Sequence, residues 1–495
     1  MTADGNPQAL VREAIFLERA GRFANAEAAY ERVLARWPDL PDCWFNLARL
    51  QRRARRYDAA LASYHQALDR GVRRPEEAHL NRGVIYSDHL RQDDAAQREL
   101  HAALTLNPNY VPALLNLANL HEDRGKREEA LAVYERILTL DATCFAALAR
   151  YANLKFVAAL DDPLIDRLRR AVAHASATPA DRASLGFALG KTLDACGAYD
   201  QAFDACVAAN RHSRESALPP GVSYSHRLQE QFIDQLIETF TPDRFKLQAP
   251  LSTVPPIFIC GMFRSGSTLT EQVLAGHPRV TAGGEIDMLP TFVRSELTPF
   301  PSAMARTSPD QLRRFAARYL EALRNLYPGG ECVTDKRPDN FLFIGLIKSL
   351  FPDARIIHTT RHPLDNCLSI FFLHLDQSMS YAFDLMDIGH YYRQYRRLMA
   401  HWKSLYGNDI LDFDYDVFVR EPRPAAERLL AFCGLDWDEK CLSFQRLGNA
   451  VKTASVWQVR EPLYSRSSGR WRHYAQQLAP LRSYLDDLIT ADRLP

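Results

Sequence analysis

The sequence predicts a chain of two parts, an all-helical repeat array followed by an α/β domain built on a parallel sheet. Three observations lead to this prediction. Small and large apolar residues recur at a near-constant spacing through the first third of the chain. A short apolar run at 257–260, typical of a buried parallel strand, is followed by a glycine-framed loop and a helical pattern. A second strand–helix junction follows near Arg361.

The repeat is visible in four alanines and in the large residue four positions after each. The alanines are 34, 36 and 34 residues apart, and the pairs are Ala26/Tyr30, Ala60/Tyr64, Ala96/Leu100 and Ala130/Tyr134. Residues four apart lie on one helical face, so the small residue lets a second helix approach and the large one fills the gap. Gly21 and Gly125 suit the turn between the two helices. The spacing therefore predicts antiparallel helix pairs stacked into a superhelix.

This pattern resembles the tetratricopeptide repeat, and a further unit follows at Gly197, Tyr199, Ala202, Cys206 and Ala209. We therefore predict a repeat domain over residues 6–215, a helical linker over 216–249 and an α/β domain over 250–495. Repeat arrays commonly bind extended partners in a concave groove, so we expect a protein or peptide there; a structural spacer is the alternative. The arginine run 49–56 is either a solvated face or a contact for an acidic partner.

Composition and charge exclude several classes of function. Lys plus Arg number 61 and Asp plus Glu 60, which gives no general attraction to nucleic acid. The first residues lack the apolar core of a secretory signal, and no apolar run approaches the ~18 residues that span a membrane. The nine cysteines include no C-x-x-C pair, which indicates reduced thiols rather than disulfides or a zinc site. We expect a cytoplasmic protein without a membrane span.

The loop after the first predicted strand has the features of a phosphate site. Gly261-x4-Gly266-x-Thr268 has P-loop spacing, with Ser267 where a P-loop NTPase has lysine. Backbone N–H groups and the helix N-terminus would face an anion, and Arg264 adds a cation. Without the lysine, and without a well-placed aspartate for Mg²⁺, we expect a 5′-phosphate-like group and no metal. An ATP-dependent kinase is thereby disfavoured; a tight strand–helix turn is the structural alternative.

The second junction supplies another candidate phosphate contact. The predicted strand 354–360 ends at Arg361, Pro363 opens the next helix, and Ser369 lies about two turns into that helix. Both Arg361 and Ser369 can face the crevice above the strand ends, where open α/β sheets bind ligands. An arginine fork with a hydroxyl suits a phosphate.

Five motifs, in this order, resemble the sulfotransferase superfamily that uses 3′-phosphoadenosine 5′-phosphosulfate (PAPS). Within it, the chain is most similar to the tyrosylprotein-sulfotransferase-like bacterial group with N-terminal tetratricopeptide repeats. The motifs are PIFICGMFRSGSTLTEQVLAGHP, AGGEIDMLP, TDKRPDN, FPDARIIHTTRHPLDNCLS and SVWQVREPLYSRSSGRWRHY. The resemblance extends over nearly the whole chain.

The resemblance implies a role for each matching residue. The 5′-phosphosulfate loop corresponds to Arg264, Ser265, Gly266, Ser267 and Thr268, and the 3′-phosphate pair to Arg361 and Ser369. A late Gly-x-Trp loop, whose basic residue also reaches the 3′-phosphate, corresponds to Ser467, Ser468, Gly469, Arg470 and Trp471. Glu285 matches the catalytic base, while Lys336 and Ser455 match groups that steady the sulfuryl and the leaving phosphate. Phe263 replaces the proline that usually opens the first loop.

We therefore expect a PAPS-dependent sulfotransferase that needs no metal and releases 3′-phosphoadenosine 5′-phosphate. The expected acceptor is a tyrosine of a protein or peptide held by the repeats, and a homodimer fits this interpretation. Sulfation of a carbohydrate or small-molecule hydroxyl, and a repeat scaffold with a vestigial nucleotide site, are the alternatives. Glu285 could instead form a strand-end salt bridge, Lys336 a surface ion pair with its neighbours, and His374 is a weaker candidate base.

Overall fold

The computed structural model describes residues 7–216, 223–242, 255–375, 379–447, 451, 453 and 457–491. It divides the chain into two compact units, Met1–Ala147 and Leu148–Pro495. Within the described part of the chain, no helix is long and apolar enough to cross a membrane.

The first unit consists of stacked helix pairs, as the repeat spacing predicts. Its helices are α1 Pro7–Arg19, α2 Phe23–Arg36, α3 Pro41–Arg53, α4 Tyr57–Asp69, α5 Pro75–Val84, α6 Asp93–Leu106, α7 Val111–Asp123 and α8 Arg127–Leu140; α9 Phe145–Leu154 crosses the unit boundary. The four alanines and the large residues that follow them are all buried on the second helix of each pair. The tetratricopeptide prediction is confirmed for this unit.

The turns between paired helices need a left-handed backbone, and the repeats meet that need in two ways. Gly21 and Gly125 have φ of 72° and 74° in the first and fourth turns. Arg55 and Arg91 occupy the equivalent positions in the second and third turns, with φ of 58° and 53°. A residue with a Cβ costs roughly 1–2 kcal/mol in this conformation. Packing of the paired helices therefore imposes this turn. Glycine avoids the backbone strain in two of the four turns, and arginine bears it in the other two.

The third repeat is two residues longer than its neighbours, and the extra residues have a visible place. Its second helix begins 18 residues after its first, at Asp93 after Pro75, whereas in the adjacent repeats that separation is 16. The segment Ile85–His89 between them is π-helical, and such a wider turn absorbs inserted residues without ending the helix.

The second unit contains a five-stranded parallel sheet in the order β2-β3-β1-β4-β5. The strands are β1 Ile257–Gly261, β2 Val280–Thr281, β3 Cys332–Lys336, β4 Ile356–Thr360 and β5 Ile410–Asp414. The helices are α10 Pro163–Val172, α11 Pro179–Ala195, α12 Tyr199–Ser216, α13 His226–Thr239, α14 Ser267–Ala275, α15 Met288–Ser295, α16 Pro309–Leu326, α17 Ile344–Leu350, α18 Pro363–Phe371, α19 Leu385–Tyr406, α20 Tyr415–Phe418, α21 Pro422–Phe432, α22 Ala479–Tyr484 and α23 Asp486–Ala491. The predicted α/β fold is confirmed.

Strand pairing brings the predicted site elements to one edge of this sheet. Central β1 pairs with β3 and β4, so Ile259 lies opposite Lys336, and Gly261 lies opposite Thr359. In a parallel sheet all carboxyl ends share one edge. The loop after β1, Lys336 at the end of β3 and Arg361 after β4 therefore meet above that edge.

The predicted repeat domain 6–215 differs from the structural division. Helices α10, α11 and α12 belong to the second unit, although the residues at 197–209, which include most of α12, continue the repeat pattern. Phe187, Cys206 and Ala209 lie in the same hydrophobic core as Phe258 of β1. The predicted linker 216–249 contains α13, whose Ile233 and Leu236 join this core. The boundary lies near residue 147 because the outer faces of α11 and α12 pack on the α/β domain.

Candidate active site

A cleft of about 730 Å³ lies above the carboxyl ends of the central strands. Nine of the predicted site residues line it: Arg264, Gly266, Ser267, Thr268, Glu285, Arg361, Ser369, Ser467 and Arg470. Five others lie outside its lining: Ser265, Lys336, Ser468, Gly469 and Trp471. Ser455 lies outside the described residues. Predicted site residues from four of the five sequence motifs thus line one cavity.

The loop after β1 is held in shape without the proline that Phe263 replaces. The Asn366 amide donates to the Phe263 carbonyl oxygen at 2.7 Å. The Ser265 hydroxyl donates to the Met262 carbonyl oxygen at 2.6 Å and lies 2.6 Å from the Thr359 hydroxyl. Ser265 therefore shapes the loop from behind. Gly266, with φ of 105°, turns the chain into α14, so Ser267 and Thr268 begin that helix beside the cleft.

Two guanidinium groups lie close together at this end of the cleft. Arg264 donates through Nε to the Ser369 hydroxyl at 3.1 Å and through Nη2 to Gln458 Oε1 at 2.8 Å. Arg361 donates to the carbonyl oxygens of Arg264, at 3.3 Å, and Ser467. The Arg361 Nε is buried and has no hydrogen-bond partner within the described residues. Burial, with Arg361 beside it, lowers the pKa of Arg264 to about 10. An anion between these groups would relieve both costs.

The backbone at Arg264 is left-handed, with φ of 68°. A non-glycine residue in this region costs of order 1–3 kcal/mol and persists only where the surroundings enforce it. Here the enforced backbone turns the guanidinium toward Ser369 and the cleft. The strain lies at the position that the sequence assigns to anion binding.

Glu285, which lines the cleft, forms an ion pair with Lys336. Lys336 Nζ lies 2.8 Å from Glu285 Oε1; the lysine side chain is 1% exposed and the glutamate side chain 40%. A buried ammonium group needs such a partner because desolvation is costly. Glu285 therefore faces the cleft with its carboxylate oriented by Lys336 from behind. The alternative of a surface ion pair for Lys336 is wrong, because the ammonium group is buried.

The loop that carries Glu285 is fixed by Glu271, a residue that the sequence analysis missed. Glu271 Oε1 accepts from the Gly284 N–H at 2.8 Å and from the Thr334 hydroxyl at 2.7 Å. Gly283 must be glycine, since a Cβ there would lie 2.0 Å from the Thr334 carbonyl oxygen. Glu271 lies on α14, so the helix that follows the loop after β1 also positions Glu285. The sequence signal for such a role was a glutamate within the largely apolar helical segment STLTEQVLA.

A second missed carboxylate holds the late loop. Asp365, on α18, accepts from the Gly469 N–H at 2.6 Å and from the Trp471 N–H at 2.7 Å. Trp471 also stacks on His362, with ring centroids 5.4 Å apart. Gly469 and Trp471 thus fix the loop, while Ser467 and Arg470 reach the cleft.

Arg470 is anchored by a helix that the sequence assigns to the repeats. Its Nη2 lies 3.0 Å from Asp194 on α11, and the Tyr474 hydroxyl also donates to Asp194. Burial lowers the pKa of Arg470, but Asp194 and Tyr474 outweigh that effect and leave it raised. Asp194 was not predicted, because nothing in the sequence links α11 to a loop about 275 residues later.

Another part of the cleft lining is apolar and aromatic. Tyr381 and Tyr391 stack with centroids 3.8 Å apart, and Leu342, Met379 and Tyr224 complete this end. The Tyr381 hydroxyl is buried and has no hydrogen-bond partner among the residues that the structure describes. We call this the aromatic end. Glu285 lines the same continuous cavity as these rings.

His374, the weaker candidate base, lies outside the cleft lining. Its Nδ1 is 3.0 Å from the Ser184 hydroxyl, and its ring stacks on Phe187 of α11. Burial lowers its pKa. Its contacts are those of a packing residue.

A search of the described residues for groups of three or more His, Cys, Asp or Glu side chains that could hold a metal ion finds none. The donors that line the cleft are guanidinium, hydroxyl and backbone N–H groups, which suit phosphate and sulfate oxygens.

Comparison with protein families identifies both parts of the chain. Residues 255–439 match the sulfotransferase family. Residues 7–50, 43–79 and 113–144 match tetratricopeptide repeats. The family matches therefore fall within the two regions whose folds are described above.

Relatives extend across these matches. The chain is 32% identical over 424 residues to an uncharacterized protein of Aquifex aeolicus, covering 82% of this chain and 53% of that protein. It is 24% identical over 224 residues to protein-tyrosine sulfotransferase A of Caenorhabditis elegans, covering 41% of this chain and 56% of that protein. The chain thus spans about half the length of these two relatives.

Among solved structures, the sulfotransferase domain of the Synechococcus PCC 7002 olefin synthase is 23% identical, with a TM-score of 0.36, over 46% of this chain and 91% of that domain. YrrB, described as a tetratricopeptide repeat protein with an unusual peptide-binding site, is 17% identical, with a TM-score of 0.29, over 34% of this chain and 87% of that protein.

Proposed function

We propose that this chain, in which a sulfotransferase-family domain follows tetratricopeptide repeats, transfers a sulfuryl group from PAPS to a tyrosine hydroxyl of a peptide. One observation carries the proposal: a single cleft joins a cationic loop, a lysine-oriented carboxylate and an aromatic end. Each part suits one participant in the reaction. A repeat scaffold with a vestigial nucleotide site would not explain why these three groups line one cleft.

The cationic end fits the donor. Arg264, Arg361 and Ser369 surround one space, and the Arg361 Nε has no hydrogen-bond partner there within the described residues. α14 begins at Ser267 and Thr268, which also line the cleft, and a helix N-terminus favours an anion. Bound PAPS would supply an activated sulfuryl group and leave as 3′-phosphoadenosine 5′-phosphate. Ser267 in place of the P-loop lysine argues against a nucleoside triphosphate.

Glu285 is the group best placed to take the acceptor proton. Glu285 lines the same cleft as the cationic and aromatic residues, and the buried Lys336 pairs with its carboxylate. General base catalysis needs a carboxylate within hydrogen-bond reach of the reacting hydroxyl. Lys336 does not line the cleft, so we assign it the orientation of Glu285 rather than direct contact with the sulfuryl group. Arg337 also lines the cleft, where it pairs with Asp339 at 3.1 Å and with Asp287 at 3.6 Å.

The aromatic end favours a phenolic acceptor over a carbohydrate. Tyr224, Tyr381 and Tyr391 offer faces and edges of rings rather than the many polar groups that sugar hydroxyls require. A small phenol meets the same requirement, so peptide and free phenol are compared in the test below. The repeat unit supports the peptide, since such arrays hold extended chains.

The test separates donor binding from transfer. Calorimetric titration without metal should give micromolar affinity for 3′-phosphoadenosine 5′-phosphate and much weaker affinity for ATP. Arg361→Ala should weaken nucleotide binding by about 2 kcal/mol, or ~30-fold, because a charged hydrogen bond is lost. Glu285→Gln should lower kcat for a tyrosine peptide at least about 100-fold and leave nucleotide affinity unchanged.

Glu331→Gln is the matched control, because that glutamate pairs with Arg279 on an exposed surface. Equal loss of nucleotide affinity in the Glu285 and Arg361 variants would contradict the division of roles. Faster transfer to a monosaccharide than to phenol or tyrosine peptides would reject the aromatic acceptor.

A further inference from the structure

The first unit contains a groove whose lining is dominated by arginine. Its volume is about 760 Å³, and Arg19, Arg49, Arg52 and Arg53 line it together with a single carboxylate, Glu18, and the ring of Tyr30. These arginines lie on α1 and α3, each of which is the first helix of its repeat pair. Neither the cleft of the second unit nor its reaction involves them.

The guanidinium groups on α3 are held in place by few contacts. Arg49 lies 3.0 Å from Glu18, Arg52 donates to Asn81 Oδ1 at 2.7 Å, and the Arg53 guanidinium lies 3.8 Å from the Phe23 ring centroid. A guanidinium group has five N–H donors, so these contacts leave most donors available. Fixed positions lower the entropy that ordering by a ligand would cost.

A comparison between repeats shows what this groove lacks. In the fourth repeat, the buried Tyr134 hydroxyl donates to Glu122 Oε1 at 2.6 Å and Asn119 Oδ1 at 2.9 Å, both on α7. In α3, Arg52 and Arg49 occupy the positions equivalent to Glu122 and Asn119.

The tyrosines of the first two repeats are left without an acceptor. Tyr30 and Tyr64 are fully buried, and neither hydroxyl has a hydrogen-bond partner among the described residues. Glu18 occupies in the first repeat the place of Glu122, but it pairs with Arg49 instead. In the second repeat, α3 therefore presents two arginine donors where α7 of the fourth repeat presents two acceptors. A buried donor without an acceptor, such as the Tyr64 hydroxyl, is costly.

We propose that this groove binds an acidic peptide segment, whose carboxylates pair with Arg49, Arg52 and Arg53. Arginine forks bind carboxylates through two parallel hydrogen bonds, and Arg49 and Arg52 lie almost one helical turn apart. An extended peptide with acidic residues at a matching spacing pairs one carboxylate with Arg49 and another with Arg52. Phe23 beside Arg53 offers an apolar surface for an intervening side chain. The inference is independent of the reaction of the second unit, because its test measures binding alone.

The test uses the full chain and two labelled peptides of the same length, one rich in Asp and Glu and one with Asn and Gln at the same positions. Fluorescence anisotropy should give micromolar affinity for the acidic peptide, falling at least tenfold between 50 and 300 mM salt. The amide peptide should bind at least tenfold more weakly. Arg49→Gln and Arg52→Gln should each reduce affinity for the acidic peptide at least fivefold.

Arg56→Gln is the control, because Arg56 belongs to the same basic run, pairs with Glu27 and lies outside the groove lining. Its affinity for the acidic peptide should stay within twofold of the parent chain.

Four results would overturn the proposal. They are equal binding of the two peptides, no binding by a folded chain, tighter binding of a single-stranded oligonucleotide, and self-association that Arg49→Gln abolishes. Titration of the same samples with 3′-phosphoadenosine 5′-phosphate keeps this outcome separate from the proposed function. A chain that binds nucleotide and ignores the acidic peptide would contradict only the groove.

Discussion

The helix pair α5–α6 in the first unit and the helix pair α11–α12 in the second have the same internal construction and different surroundings. In each, a glycine on the first helix admits the second: a Cβ on Gly83 would lie 3.2 Å from Leu100 Cδ2, and one on Gly190 would lie 2.5 Å from Cys206 Sγ. Leu100 and Cys206 both stand four residues after the repeat alanine. The two helix pairs therefore share the same contact between a glycine on the first helix and a larger side chain on the second.

Their cores differ. Leu100 packs in a cluster drawn only from α5, α6 and α7 and the turns beside them, so that core is local in sequence. Cys206 packs in a cluster that reaches from Phe187 to Ile489 and includes Phe258 of β1. The Asn210 amide also donates to the Phe371 carbonyl oxygen at 2.9 Å, at the end of the helix that carries Ser369. Repeat spacing therefore predicts a helix pair but not the core that the pair joins.

The largest expected effect comes from truncation. A chain lacking residues 1–147 should fold and keep its affinity for 3′-phosphoadenosine 5′-phosphate, because the core of the second unit is intact. A chain lacking residues 1–216 should lose cooperative melting and nucleotide binding, since Phe187, Cys206 and Ala209 leave that core. Circular dichroism melting and calorimetric titration measure both. If both fragments fold equally well, the domain boundary lies near residue 215, as the sequence analysis predicted.

The next effect comes from filling the two helix contacts. Gly190→Val should lower the free energy of unfolding of the second unit by about 3 kcal/mol and reduce nucleotide affinity, because the added methyl groups meet Cys206. Gly83→Val should destabilise the first unit by about 1–2 kcal/mol, since the Leu100 side chain can move aside. Nucleotide affinity should change only in the Gly190 variant. Loss of nucleotide affinity in the Gly83 variant would contradict the assignment of its helix pair to a core that is separate from the nucleotide site.

A smaller effect is expected at Asp194, which connects α11 to the cleft through Arg470. Asp194→Ala should weaken nucleotide affinity about tenfold, because a charged contact that orients Arg470 is lost. Asp194→Asn should keep most of the affinity, since an amide oxygen still accepts from Arg470. Asp200→Asn is the control, as Asp200 accepts from Gln477 away from the cleft lining. Tighter binding by the alanine variant would mean that Asp194 competes with the nucleotide for Arg470.

The smallest effect concerns the turns, where the two regions should behave alike. Gly21 and Gly197 both have left-handed φ, 72° and 76°, and a Cβ at either would meet no atom within 4 Å. Replacing either by alanine should cost its own unit about 1 kcal/mol through backbone strain alone. Melting curves of the two variants measure this cost. A much larger cost at Gly197 would reveal packing at that turn.

Much of the fold and part of the candidate site could be predicted from sequence. The spacing of alanines and tyrosines predicted the helix pairs, because a period of 3.6 residues depends only on neighbouring positions. The glycine-framed loop, Arg361, Ser369 and Glu285 were found through local motifs, and the structure brings them into one cleft. Sequence reasoning did not find Glu271, Asp365 and Asp194, whose partners lie far along the chain.

The sequence by itself determined the helix pairs, the parallel α/β domain and the glycine-framed loop after β1, since each follows from short-range pattern. Only the tertiary structure decided that α11 and α12 belong to the second core, and that Lys336 is buried behind Glu285. It also decided that Arg470 is anchored on α11. The reason is physical: such contacts depend on which surfaces meet, and burial gives the same apolar signal whichever surface lies opposite.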